Sequence, residues 1–477
     1  MSWSIASDNS RTRPLDNAEI FFESLTPSGL PPKLQHWAIA AVLQLRLPAS
    51  VPDHVLCLQR AWLLLRRLHP SLGGKLLKPD DSSTPILSIP PLDPDEWIST
   101  SFFTHSNTSA TEIFPTLGVT PTVTCHYFPD TREVLFHIAH WRMDGIGTQM
   151  LTHYFLTLLS SVLALGPTAD LDAYAPTLQP CLNPGLDAII GPAATLHPLP
   201  VHLQTAAQEL ISHFVGGLPS IGLPTLPNSE QALPANTFNT PLTLTPATTT
   251  AVIAACKARG ISVTTAVHAS LVRVTGTYPQ HAASSTSFAS FVPKNLRKAL
   301  PTPYSTDAYA VGVFMTGFPV RVDGAAGPER KGWAEVAQEL HAGNTIDMEK
   351  LPTADGQAVR YFDIMGAYVP GLVGMFAMKP LEGWPLMQTP GFSSLGRVEE
   401  YVREEYGVEG GGEKVEVEEW WLATEMLTRE IGVHLWTWRG RLRLMGSFNE
   451  SFYEKGFVAE VLEQVKGELL KGLGIEE

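Results

Sequence analysis

Val134-Leu135-Phe136-His137-Ile138-Ala139-His140-Trp141-Arg142-Met143-Asp144-Gly145 is the stretch on which the reading of this chain turns. Residues 122–128 and 134–138 read as two strands around the turn Pro129-Asp130-Thr131-Arg132. Residues 147–165 are apolar at helical spacing, so the stretch is a strand, a turn and a helix in succession. A histidine placed just after a buried strand is held in position, and an ordinary imidazole pKa of about 6.5 suits proton removal at neutral pH. This makes His140 the candidate base. Asp144, in the turn before the helix, can hold the loop by an ion pair or by capping backbone amides. Gly145 permits a backbone turn that other residues resist. His137 and His153 read as packed residues. A chance His-x-x-x-Asp-Gly occurs in roughly one chain of this length in twenty, so the motif needs support from elsewhere.

Working outward, residues 36–47 form an apolar stretch that fits a buried strand or a short helix. Residues 51–69 read as a helix with Asp53 as N-cap and Pro70 as its stop. From residue 166 to residue 234 prolines recur, and this region reads as a long connection with one helix over residues 202–214. A second half begins with a short strand over 242–244, a helix over 245–257 capped by Thr245, and another capped by Ser262 that runs to Thr275. Residues 309–322, 415–422 and 432–445 have strand composition, residues 449–473 read as a closing helix, and the glycines at 410–412 mark a turn.

The 477 residues are too many for one ordinary core. With 44% hydrophobic and 17% charged residues the chain folds into large cores, and a net charge of −14 disfavours phosphate backbones as partners. The N-terminus lacks the basic start and apolar run of a signal peptide, and no membrane-spanning run is expected. Cys57, Cys125, Cys181 and Cys256 are far apart and lack metal spacing, which fits reduced thiols in a cytosolic protein. No CxxC, HExxH, Walker loop, GxGxxG or GxSxG is present, so neither a metal site nor kinase or serine-triad chemistry has support.

The motif and its context together resemble the chloramphenicol acetyltransferase-like superfamily of HxxxDG acyltransferases, which includes the plant-type (BAHD) enzymes and the condensation domains of peptide synthetases. Arg66-Arg67-Leu68-His69-Pro70-Ser71-Leu72 resembles the run that ends the first helix in these folds. Pro293-Lys294-Asn295-Leu296-Arg297 resembles a second-lobe segment, and Ser393-Ser394-Leu395-Gly396 the SNxG loop of carrier-independent members. Ser447-Phe448-Asn449-Glu450-Ser451-Phe452-Tyr453 resembles the YNxxY run that opens the last helix. With His434-Leu435-Trp436-Thr437-Trp438, the chain looks most like the fungal trichothecene 15-O-acetyltransferase-like group over about residues 30–470.

That resemblance implies an α/β fold of two chloramphenicol acetyltransferase-like lobes with a tunnel and the active site at their interface. The expected division is residues 1–185 as the N-terminal lobe, 186–235 as the connection and 236–477 as the C-terminal lobe. It implies an O-acyltransferase in which His140 takes a proton from a hydroxyl of an apolar secondary metabolite, such as a terpenoid or polyketide. The resulting oxygen attacks the thioester of acetyl-CoA or another acyl-CoA, a co-substrate rather than a bound cofactor. Asp144 pairs with an arginine in the family, here Arg297, with Arg67 second. Ser394 and its neighbour Ser393 are the oxyanion candidates. Lys294, Lys298, Asn449 and Trp436 are candidates for holding substrate or coenzyme A, and Lys257 with Arg259 form a second basic pair. Phe314, Met315, Phe362, Met365, Phe376, Met378, Trp384 and Met387 could line an apolar pocket or simply fill a core. Two family features are missing: Ala139 replaces the histidine that often precedes the catalytic one, and the plant-type DFGWG segment is absent. A monomer in the cytoplasm is expected, without nucleic acid or membrane. The alternative keeps the fold and drops the acyl donor, leaving His140 as acid or base in a cyclase (pericyclase), dehydratase or isomerase.

Overall fold

The computed structural model describes residues 3–476 except 26–33, 52, 79–83, 167–168, 172–179, 192–197, 282–284, 307–308, 310, 378–384 and 408–413. The strand leading into the motif, Glu133–Ile138, lies inside a six-stranded sheet. Its order is Glu405–Gly407, Lys414–Thr424, Ile39–Arg46, Glu133–Ile138, Thr124–Phe128, Phe102–Thr104. All pairs are antiparallel except the last. The stretch at 36–47 is thus a strand. Ala40, Ala41, Val42 and Leu43 are fully buried, which a strand with both faces covered requires. The helix His54–Leu68 starts where Asp53 accepts the Leu56 N–H at 2.9 Å, as expected of an N-cap. It packs with the helix Gly145–Leu165 into one core with the sheet.

Gly145–Leu165 corrects one expectation. It carries no Asp, Glu, Lys or Arg over 21 residues and is long and apolar enough to cross a membrane. Here Leu151, Phe155, Leu156 and Leu159 are fully buried in the first core. Each such side chain contributes ~1.5–3 kcal/mol by leaving water.

A second, four-stranded sheet has the order Gly391–Arg397, Gly432–Trp438, Arg441–Asn449, Thr237–Thr243. Gly391–Arg397 runs parallel to its neighbour, and the others are antiparallel. The helices Pro246–Ala258, Val263–Thr275 and Lys455–Leu473 cover one face. A third core gathers the ladder of Phe288–Asn295 with Met315–Val322 and the helices Asn17–Ser24, Val201–Val215, Trp333–Asn344 and Tyr361–Ala377.

The chain crosses the boundary expected at residue 236. Lys414–Thr424 pairs with Ile39–Arg46 along its length, so a segment from the second half completes the first sheet. The lobes share backbone hydrogen bonds, and the site lies beside that exchange. Other bounds move. Among the described residues of 309–322, strand structure is confined to Met315–Val322, and the short strand at 242–244 extends back to Thr237. Asn449 ends a strand, and the closing helix starts only at Lys455. The glycines at 410–412 lie outside the described residues. Cys57, Cys125 and Cys256 are buried thiols, and Cys181 is half-buried.

Candidate active site at the lobe interface

The strand stops at Ile138, and a single 3-10 turn, His140–Arg142, separates it from the helix. Arg142 fixes this turn from below: its guanidinium donates to the carbonyls of Gly74 and Pro121, each at 2.6 Å. Asp144 then performs both tasks expected of it. As N-cap it accepts the Gly147 N–H at 2.8 Å, and its two oxygens take Arg297 Nη1 at 3.0 and 2.9 Å. Oδ2 also accepts the Phe314 N–H at 2.8 Å. Arg297 and Phe314 belong to the other lobe, and both members of the ion pair are almost fully buried. Arg67 instead donates to the Leu171 carbonyl, so Arg297 is the partner.

Gly145 is needed for a different reason than expected. It is not among the residues with positive φ, but a Cβ there would lie 2.6 Å from Leu395 Cδ2. The glycine therefore admits the strand Gly391–Arg397 against the start of the motif helix. Gln149 Nε2 donates to the Leu395 carbonyl at 3.1 Å and holds that approach.

His140 is half-buried. Phe22 lies parallel on its ring at 4.0 Å, and the Trp37 ring is 6.3 Å away and tilted. Desolvation holds the His140 pKa down at about 4, partly opposed by the ring's own main-chain carbonyl and by Asp144. The imidazole is therefore neutral at pH 7, as a proton acceptor must be. Two further histidines interact with it electrostatically. His36 is pushed to about 3 and His434 to about 4, each by burial first and then by the nearby His140. His434 Nε2 and Thr424 Oγ1 share a hydrogen bond of 2.9 Å. Phe22, His36 and Trp37 were marked by no local motif in the sequence, and His434 entered only with the run 434–438 that carries the resemblance; only the fold brings them to His140.

The remaining predicted residues divide. Ser393 is in register with His434, whereas Ser394 Oγ bonds Thr264 Oγ1 at 2.8 Å on the helix Val263–Thr275. Ser394 Oγ is thus hydrogen-bonded within the second lobe, and Ser393 is the serine on the histidine's register. Lys294 Nζ donates to the carbonyls of Gly343 and Asn344 at 2.9 and 2.6 Å, capping the helix Trp333–Asn344, and burial lowers its pKa to about 8. Lys298 is exposed. Lys257 and Arg259 lie at the end of another helix. Trp436 is buried edge-to-face on Trp420 within the first core. Asn449 is fully buried and bonds the Ala235 N–H and carbonyl and the Met426 carbonyl. It therefore orders the loop that follows Thr424. Phe314, Phe362 and Met365 fill a core, while Phe376 and Met387 are about 40% exposed. Met378 and Trp384 lie outside the described residues. One described cavity lies behind the motif turn, beside Arg13, Glu19, Trp141 and Arg142, and another lies beside Leu199, Ile211 and Gly371.

The buried histidines give a stability prediction. His36, His69, His126, His137, His140, His268 and His434 all have native pKa values of about 3–4 because of burial. Unfolding returns each to about 6.5, so below that pH the unfolded chain binds more protons and stability falls with pH. Glu425 and Glu430, raised to about 7 and 8 by burial, give the opposite slope but are fewer. Each histidine costs up to about 1.4 kcal/mol per pH unit, against a total stability of ~5–15 kcal/mol. Cooperative unfolding is thus expected between about pH 6 and pH 5 at 25 °C, followed by circular dichroism. From pH 8 to 6 turnover changes less than about twofold, because His140 is already neutral. An acid limb centred at pH 6.5 with the fold intact contradicts this electrostatic picture.

Comparison with known proteins finds fungal proteins similar to this chain over its whole length. It is 32% identical to the loline biosynthesis cluster 1 transcription factor lolU1 of Epichloe uncinata, over 99% of this chain and 97% of that one. It is 26% identical to the acetyltransferase pigO of Monascus ruber, over 100% of this chain and 99% of that one. Among solved structures, the trichothecene 15-O-acetyltransferase TRI3 of Fusarium sporotrichioides superposes with a TM-score of 0.77 at 16% identity, covering 98% of each chain. No family model matches the chain.

Proposed function

We propose that this chain, which belongs to the chloramphenicol acetyltransferase-like superfamily and to one family with the Epichloe uncinata protein, transfers an acyl group from acyl-CoA to a hydroxyl of a secondary metabolite. The observation that carries the reading is the motif turn: a neutral imidazole at the lobe interface, held by a buried Asp144–Arg297 pair that spans the lobes. His140 removes the acceptor's proton as its oxygen bonds to the thioester carbon. The tetrahedral intermediate collapses, the C–S bond breaks, and the thiolate takes the proton from His140. No group on the protein is acylated. Acetyl-CoA is the donor favoured here, by kinship to the Monascus ruber acetyltransferase. An apolar acceptor reaches His140 past the aromatic side chains around it. The Epichloe protein's name refers to transcription, but a chain of net charge −14 is poorly suited to a DNA backbone.

Calorimetric titration with acetyl-CoA tests the donor. Saturable one-to-one binding is expected, with desulfo-CoA (which keeps the nucleotide and lacks the sulfur) competing. Absence of heat and of competition would leave the donor-free cyclase or isomerase reading in its place.

A further inference from the structure

The oxyanion formed during acyl transfer needs a hydrogen-bond donor fixed before the reaction. Ser394 is engaged elsewhere, and another group near His140 has the required properties. His36 is 4% exposed, and its Nδ1 accepts the Leu427 N–H at 3.1 Å. A ring nitrogen that accepts an amide proton carries none itself, so in the neutral ring the proton is on Nε2. Among the described residues nothing in the protein accepts that proton. Burial and His140 both oppose a second proton, and the ring stays a neutral donor at working pH.

The backbone around His36 is built to hold it. Trp37 is in the left-handed region at φ 61°, a conformation that for a bulky residue costs on the order of 1–3 kcal/mol. The strand exchange between lobes offsets that cost. Glu425 Oε2 accepts the Gln35 N–H at 3.0 Å, the Glu425 carbonyl accepts the Trp37 N–H at 2.7 Å, and the Glu425 N–H donates to the Ala38 carbonyl at 2.8 Å. Asn449 fixes the Met426 carbonyl behind this loop at 2.8 Å. The Trp37 indole, on which His36 stacks at 4.8 Å, is the same ring that packs against His140. Strain held by three cross-lobe hydrogen bonds, one fixed tautomer and a shared aromatic contact with the base all converge on one side chain.

From this we infer that His36 is a catalytic residue whose Nε2–H stabilises the oxyanion of the tetrahedral intermediate. The inference rests on the acyl-transfer reading above. As the acceptor oxygen bonds to the thioester carbon, the carbonyl π pair moves onto oxygen, where Nε2–H meets the charge. When the C–S bond breaks, the pair returns and the donor is released unchanged. A neutral imidazole is the better donor here because it gives up no proton to the alkoxide and, unlike an imidazolium, does not lower the proton affinity of His140.

Two isosteres separate donation from anchoring. His36→Asn keeps an acceptor where Nδ1 stands, so Leu427 stays bonded, and has nothing at Nε2. His36→Gln places an amide N–H at Nε2 and leaves Leu427 without its acceptor. Thiol release from acetyl-CoA, with a hydroxylated acceptor that the wild-type protein turns over, is the assay, and thermal melting is followed alongside. His36→Asn is expected to melt as wild type yet lose kcat by about 10²–10³-fold at nearly constant KM. His36→Gln is expected to recover at least tenfold of that loss despite a lower melting temperature. Near-wild-type kcat in His36→Asn, or equal losses in both variants, overturns the role of His36 and leaves acyl transfer standing. A wild-type protein that releases no thiol with any acceptor removes the acyl-transfer reading itself, and the inference with it.

Discussion

Arg297→Ala is expected to lower the free energy of unfolding by about 3–5 kcal/mol, read from the denaturant midpoint at pH 7.5. The substitution leaves the Asp144 carboxylate buried without its cation. Two backbone N–H groups, from Gly147 and Phe314, remain on it, but they do not neutralise it. A loss of that size is a large share of the ~5–15 kcal/mol that holds a protein together. Arg297→Lys recovers only part of it, since an ammonium on a shorter stem reproduces neither the reach of Nη1, which alone meets both oxygens, nor the guanidinium plane over Phe314 at 5.1 Å. Because the pair joins the lobes, turnover is expected to fall together with stability. A midpoint shift worth less than about 1 kcal/mol contradicts the description of Asp144 as the buried charge that ties the motif turn to the second lobe.

His140→Ala acts on the reaction and hardly on the fold. It is expected to lower kcat by about 10²–10⁴-fold, the range of a lost general base. The variant loses the parallel contact with Phe22 but also one of the desolvated imidazoles whose low pKa costs stability in acid, so its melting temperature at pH 6 changes little. Steady-state thiol release and thermal melting together check this. Full turnover in a folded His140→Ala protein removes His140 from the mechanism.

The motif was legible because its parts are local. A strand, a histidine, a capping aspartate and an apolar helix follow one another within about thirty residues, and the periodicity of each is written in the side chains. The arginine that completes the motif was reached by resemblance, since nothing in the residues between 144 and 297 announces the pairing. The strand Gly391–Arg397 was not read as one, because Gly391, Ser393, Ser394 and Gly396 give it little strand character; its neighbour Gly432–Trp438 supplies the pairing. The helix Tyr361–Ala377 contains Pro370 and glycines at 366, 371 and 374, all of which argue against a helix locally. It forms because Ile364, Met365, Tyr368 and Leu372 bury one face in the third core. The sheet to which Lys414–Thr424 belongs was not legible for a related reason: a strand that completes the other lobe's sheet looks no different in sequence from one that stays at home. His36 was hidden for the same cause, its tautomer being fixed by an amide 391 residues away.

Acetyl transfer at His140 is tested most directly by following the acyl group. Acetyl-CoA labelled with ¹³C in the acetyl group, the wild-type protein and a panel of hydroxylated terpenoids and polyketides are analysed by mass spectrometry while free thiol is counted. One labelled ester for each thiol released, from at least one acceptor, is the expected result, with both signals lost together in His140→Ala. An acceptor converted without gaining label, with no thiol released, would contradict the account and assign the interface histidine to donor-free chemistry.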